Sequence, residues 1–427
     1  MKIDEWILLY ENLMSKLKTN KNHILKLNRN ERQKILEATD ELREKFIHTI
    51  ISDQILIEAK NWVSILIDKI NSLKENGIIE GVTLAREFRS FLEDPIAHLK
   101  KKIFIYTFNL ISGNLSLIDF IDRAGAAIRT SLRTNMRSTY QTWIFLILIS
   151  KLIENNGRIV YPEHGYIYIE RNARQKIGIL PPNCIVEFNS GKRLSFFIEV
   201  PRPLSWHDSS DLRKVWKFYV ALRPDFMIYG GSQMNIAEPE NSPPIKRPNI
   251  IIECKELSDW YKRVRDLRGW WTKALSAEEW RMLWLKGLWE GLADAMGVKA
   301  KDKLVKEVSI ERRGLRMKEY KLVQIYKKFY NPDSMILITR TKIPNEIKCD
   351  IENSGLIVYD NIEFNEEKLT EAVNLLKKYG KATYRSKNLI DIIKEKYQLN
   401  FEDKIIEKAI LSLIEEHFED FMKKMEE

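Results

Sequence analysis

Apolar residues recur at intervals of three and four from the beginning of the chain. Trp6, Leu9, Tyr10 and Leu13 form one such set, Ile35, Leu36, Leu42 and Phe46 a second, and Ile55, Ile57, Trp62, Ile65 and Ile67 a third. This spacing places one apolar stripe on each helix and predicts helices throughout residues 1–118, with Asn76-Gly77 as the clearest break. A region of that kind reads as a helical bundle or a dimerisation arm. From Ser116 the pattern changes. A helical stretch through Arg123, Arg129, Arg133 and Arg137 leads into STYQTWIFLILISKLIENNG, which ends at Gly157. Short β-type segments follow at 158–161, 166–170, 184–188 and 194–200, separated by turn formers such as Pro181-Pro182-Asn183 and Asn189-Ser190-Gly191.

Two further strands are expected at 222–231 and 249–256, with a polar loop carrying Pro239, Pro243, Pro244 and Pro248 between them. A Trp-rich helical insertion is expected over 257–316, then a helix to Tyr330, strands at 335–340 and 355–359, and a helical end. The expected architecture is α/β: a helical N-terminal domain (1–118), a central mixed sheet flanked by helices (119–360), and a helical C-terminal tail (361–427).

Composition narrows the class. With 44% hydrophobic and 30% charged residues the chain has the balance of a globular protein. Its three cysteines, Cys184, Cys254 and Cys349, are isolated, which excludes a disulfide framework and a zinc motif and suggests a reducing, cytoplasmic setting. Acidic residues interrupt the first apolar positions, so no secretory signal is expected, and the apolar run at 143–149 is too short to span a membrane. The net charge of +10 suits either a polyanionic partner or solubility. Position makes the charge more informative: residues 255–328 hold 19 basic and 11 acidic side chains, whereas the chain from Asn361 onward is mildly acidic. Lys262, Arg263, Arg265, Arg268, Arg312, Arg313, Lys327 and Lys328 are therefore candidate phosphate contacts, with a solvated helix face as the plainer reading.

The candidate chemistry lies in RPDFMI and IIIECK. Each is a buried-strand sequence carrying ionisable groups whose burial is costly unless they are paired or bound to metal. Alternation puts Glu253 and Lys255 on one face and Cys254 on the other. Antiparallel pairing of the two strands would bring Asp225 beside Glu253. Two carboxylates and a backbone carbonyl, that of Cys254, make a hard-oxygen site suited to Mg²⁺ or Mn²⁺. A lysine two residues on can orient the attacking water of a phosphodiester hydrolysis.

The order helix, strands, Pro224-Asp225, Glu253-Cys254-Lys255, helix, strand resembles the PD-(D/E)XK nuclease superfamily, the restriction-endonuclease-like fold. The resemblance covers roughly residues 116–360. It implies metal binding by Asp225 and Glu253 and a water-positioning role for Lys255. YQTWIFLILISKL is similar to the YExW-type helix in the nuclease subunit of McrBC-like restriction systems, but Gln141 stands where that family carries Glu. An amide there favours one metal ion over two; Glu154 is an alternative carboxylate. The following helix, MKEYKLVQIYKKFY, offers Gln324 as an auxiliary residue. The implied activity is a metal-dependent nuclease acting on DNA, an endonuclease by preference. The alternatives are a non-catalytic nucleic-acid-binding relative and a helical interaction scaffold.

Other features carry less. Trp280, Leu283, Trp284 and Leu288 share one helix face, which is core packing or, alternatively, a base-stacking platform. His164 and the His207-Asp208 pair lie on turn-like segments and read as solvent-facing or structural. Gly230-Gly231 lacks a phosphate-loop lysine, so any ATP-driven motor would be a separate partner chain. Paired cuts in duplex DNA need two active sites, which points to a homodimer.

Overall fold

A computed structural model describes residues 5–17, 29–169, 180–200, 224–238, 245–267, 315–382 and 412. The first part is helical, as its spacing predicts, in α1 (Glu5–Leu17), α2 (Arg29–Ile50), α3 (Asp53–Glu75), α4 (Arg86–Glu93), α5 (Pro95–Lys102) and α6 (Phe104–Ile111). One segment departs from that expectation. Residues of β1 (Gly81–Thr83) lie between α3 and α4 and are extended.

The longest element is α7 (Leu117–Glu154). Ser116 caps it, its hydroxyl accepting from the Asp119 N–H at 3.1 Å. Every residue from Thr139 to Leu152 is buried, so this half of the helix is packed on all sides. Two strands follow, β2 (Gly157–Tyr161) and β3 (Tyr166–Tyr168). The latter does not join the main sheet. It pairs in parallel with β1, and that pairing explains the strand in the otherwise helical N-terminal region.

The main sheet continues through β4 (Cys184–Phe188), β5 (Lys192–Ile198), β6 (Phe226–Gly230) and β7 (Ile250–Lys255), each antiparallel to its neighbour. A separate ribbon of β8 (Val264–Leu267) and β9 (Leu315–Lys318) then leads into α8 (Glu319–Tyr330). The expected insertion thus begins with a short 3-10 turn (Trp260–Lys262) and a strand and ends on that strand's partner; residues 268–314, with Trp270, Trp271, Trp280, Trp284 and Trp289, lie outside the described residues. Next come β10 (Ser334–Thr339), α9 (Asn345–Asn353), β11 (Ile357–Tyr359), α10 (Thr370–Lys378) and β12 (Lys381–Ala382). β10 is parallel to both β7 and β11, which makes the sheet mixed.

Helices cover both faces. Phe196, Phe226, Ile228, Ile252 and Cys254 pack towards α7, α10 and the N-terminal helices in one continuous cluster that runs from Trp6 to Leu376. Phe197, Met227, Ile251 and Leu337 pack towards α8 and α9 on the other face. Strands covered on both sides read as unbroken apolar runs, and all six residues of IIIECK are indeed buried. Two expected boundaries change. The break at 118 falls in the first turn of α7, whose length serves both the helical region and the sheet. Of the expected helical tail, 361–382 packs on the core: α10 buries Ala372, Val373 and Leu376 and β12 pairs with β5, while 383–411 and 413–427 lie outside the described residues. No described helix is long and apolar enough to cross a membrane.

Candidate active site

The register of β6 against β7 pairs Phe226 with Ile252, so Asp225 and Glu253 occupy facing positions at the ends of adjacent strands. The Asp225 N–H donates to Glu253 Oε2 at 3.2 Å. Its carboxylate accepts from the Cys254 N–H at 2.7 Å on one oxygen and from Gln141 Nε2 at 2.6 Å on the other. Lys255, two residues past Glu253 on the same strand face, donates to Glu253 Oε1 at 2.8 Å. The sequence-derived residues Gln141, Asp225, Glu253 and Lys255 are therefore one hydrogen-bonded group, and Cys254 joins it through its N–H.

Lys255 has a second carboxylate partner that motif reasoning missed. Glu319, the first residue of α8, accepts from Lys255 Nζ at 2.8 Å. Its position at the start of a helix favours a negative charge. The signal was available: Glu319 opens the very helix searched for an auxiliary group. Arg137 was also overlooked. It stands one turn before Gln141 on α7, the i,i+4 spacing that puts two side chains on one face, and its charge acts on both Asp225 and Glu256.

These groups are deep: Gln141, Asp225, Glu253, Lys255, Glu256 and Glu319 are between 4 and 7% exposed. Burial, together with the neighbouring Glu253 carboxylate, holds Asp225 well above the ordinary carboxylate range, although Lys255, Arg137 and the Cys254 N–H act in the opposite direction. Burial also raises Glu256 and the Cys254 thiol. Among the described residues four buried carboxylates share this neighbourhood with two cations, Lys255 and Arg137, so carboxylates outnumber cations at this buried position. Among the described residues no group of three or more His, Cys, Asp and Glu side chains forms a metal cage. Asp225 and Glu253 alone could hold an ion that keeps several waters, the usual manner of Mg²⁺.

A cleft of about 360 Å³ opens beside this group. One wall is α7, with Arg133 and Arg137; Lys255, Glu319, Trp260 and Arg263 also line it. Lys255 Nζ lies 5.7 Å from the centre of the Trp260 ring.

Several expected residues lie elsewhere. Gln324 donates to the carbonyl and side chain of Asp350, both at 3.2 Å, and so braces α9 instead of entering the site. Lys327 donates to the carbonyls of Ser354 and Gly355, at 3.3 and 2.5 Å, closing the end of α9. Lys328 and Lys262 are exposed, the latter with Nζ 5.8 Å from the Tyr261 ring. Arg263 is tied to Asp259 at 3.1 Å. Arg268, Arg312, Arg313 and the His207-Asp208 pair lie outside the described residues, and of Arg265 only the backbone, in β8, is described. Glu154 accepts from Ser150 at 3.1 Å near the far end of α7, about 20 Å along the axis from Gln141. His164 accepts from the Tyr166 N–H at 3.1 Å in a turn, a structural role.

Comparison of the chain with protein-family models, with curated proteins and with solved structures finds no match.

Proposed function

We propose that this protein is a metal-dependent nuclease of the PD-(D/E)XK type acting on DNA. The observation that carries the reading is the facing of Asp225 and Glu253 across β6 and β7, with Lys255 on the same strand face and bonded to Glu253. The order of elements adds support: a helix (α7), antiparallel strands β5, β6 and β7, a helix (α8), then β10 parallel to β7, which is the arrangement the motifs imply for a restriction-endonuclease-like core.

Asp225 and Glu253 would hold one Mg²⁺ or Mn²⁺ ion, which when bound supplies positive charge to the reacting phosphate. The rest of the work falls to the chain. Lys255, fixed between Glu253 and Glu319, positions a water and stabilises negative charge beside it. Gln141 restrains one oxygen of Asp225 and the Cys254 N–H the other, so the carboxylate keeps a single orientation. The tight cluster excludes bulk water, which strengthens each of these electrostatic effects.

The test is incubation with plasmid and single-stranded DNA in Mg²⁺, Mn²⁺ or EDTA. Metal-dependent cleavage should fall at least about a hundredfold in Asp225→Asn and Glu253→Gln, near-isosteric changes that preserve packing. Undiminished cleavage by both variants would overturn the assignment. One observation favours a second reading: both Asp225 oxygens already accept hydrogen bonds. A protein that binds DNA in a salt-dependent manner but never cuts would be a relative whose former site now serves the fold.

A further inference from the structure

We propose that the cleft beside Lys255 receives one nucleotide of an unpaired strand, with Arg133 and Arg137 of α7 as its phosphate contacts, so that single-stranded DNA, not intact duplex, is the substrate. This rests on the nuclease reading and assigns its substrate class.

The first argument is size and depth. At about 360 Å³ the cleft lies near the lower end of the roughly 300–1,000 Å³ typical of small-ligand pockets, the scale of one nucleotide. Lys255 and Glu319 line it, yet each retains only a few per cent of its surface, and Lys255 joins Glu319 to the buried Glu253. A duplex is a cylinder far too large to enter a cleft of that volume. To present a phosphodiester to Lys255 it would have to unstack or flip a nucleotide, at a cost of a few kcal/mol. An unpaired strand enters without that cost.

The second argument is the distribution of charge. Arg133 is exposed, lines the cleft and has no ion-pair partner among the described residues. Arg137 follows one turn later on the same helix face. Together they give the α7 wall two guanidinium groups, which match phosphate geometry. Glu256 and Glu319 also line the cleft and repel an anion, which steers phosphate towards α7.

A third observation is independent of both. Trp260 also lines the cleft, and its buried indole N–H has no acceptor among the described residues. A buried donor left unmet costs about 1–3 kcal/mol, and an oxygen of a bound nucleotide would satisfy it.

The experiment compares a fluorescent single-stranded oligonucleotide with a covalently closed duplex dumbbell of the same sequence. Binding is read by anisotropy in Ca²⁺ and cleavage in Mg²⁺ or Mn²⁺. The single strand should bind at least about tenfold more tightly, a difference of about 1.4 kcal/mol. Arg133→Gln should weaken single-strand binding severalfold and lower its salt slope by about one, with the melting temperature unchanged. Arg137→Lys should retain more of the affinity than Arg137→Gln. Equal binding of the closed duplex, or internal cleavage of it, would overturn this assignment while leaving the nuclease reading intact. Preferential single-strand binding without cleavage in either metal would do the converse. Arg133→Gln without effect on binding would remove the phosphate assignment outright.

Discussion

The main sheet contains two carboxylate clusters, and they are built on opposite principles. Towards one edge, Glu187 on β4 is gripped by Arg193 from β5 and by Arg158 from β2, whose Nη2 lies 2.5 Å from Oε1. Two cations serve one carboxylate there. Burial works to raise Glu187, but the hydrogen bonds and charges of the two arginines outweigh it and hold the group below the usual carboxylate range. Nearer the parallel strands the proportions reverse. Asp225, Glu253, Glu256 and Glu319 share Lys255 and Arg137, and Asp225 is pushed upward. The first cluster is satisfied as it stands and fastens three strands together. The second holds more carboxylates than cations among the described residues, and under the proposed nuclease reading that imbalance is what would suit it to a metal cation. The lesson is that a buried ion pair says little about function; the imbalance around it says more.

Substitutions should separate the two clusters, beginning with Lys255. Lys255→Ala leaves Glu253 and Glu319 buried without their shared cation, and should cost about 3–5 kcal/mol of stability in urea melts. A loss below about 1 kcal/mol would mean that water already screens the pair. Glu187→Gln should cost about 1–2 kcal/mol by removing the charge that binds Arg193 and Arg158. It should also flatten the acid side of the stability profile. A group held below its unfolded value stabilises the fold above that value, and the contribution disappears as pH falls through the folded one. Thermal melts of parent and variant between about pH 3 and 6 should therefore converge on acidification. Asp225→Asn should do the opposite of Glu187→Gln. It relieves buried charge, so in EDTA the protein should gain about 1 kcal/mol, with Gln141 turning its amide to meet the new side chain, and in Mg²⁺ it should lose cleavage. A destabilised Asp225→Asn would show that the carboxylate is structural. Least affected should be Arg158→Gln, within about 0.5 kcal/mol, because that arginine is two-thirds exposed.

Much of this was legible in the sequence because the sheet is buried on both faces. IIIECK and the apolar run after Pro224-Asp225 have no other comfortable place, and alternation puts Glu253 with Lys255. Gln141 was legible as well, although as a missing acid; the structure shows it as the donor that fixes Asp225. What escaped were relations between distant segments. Nothing local in GVT or YIY announces that β1 and β3 pair, since each is only three residues long. Glu319 was passed over because helical periodicity drew attention to the polar face around Gln324, which in fact grips Asp350. The stretch from 361 is a similar case: its periodicity predicts helix correctly for α10 but cannot say what that helix covers.

The crossing of β12 over the end of β6 has a consequence for how the molecule assembles. Gly230 has no side chain because the carbonyl of Tyr379 and the stem of Lys381 occupy the space where one would begin. Lys381 pairs with Arg193, which lies about half the core upstream, so this contact closes the longest loop of any strand pairing among the described residues. Loops of that length are entropically expensive until the surfaces that reward them exist. The end of the core should therefore dock after the β5–β6 pair is in place, acting as a latch on a finished sheet. On a ribosome, that latch is also among the last parts of the core to emerge.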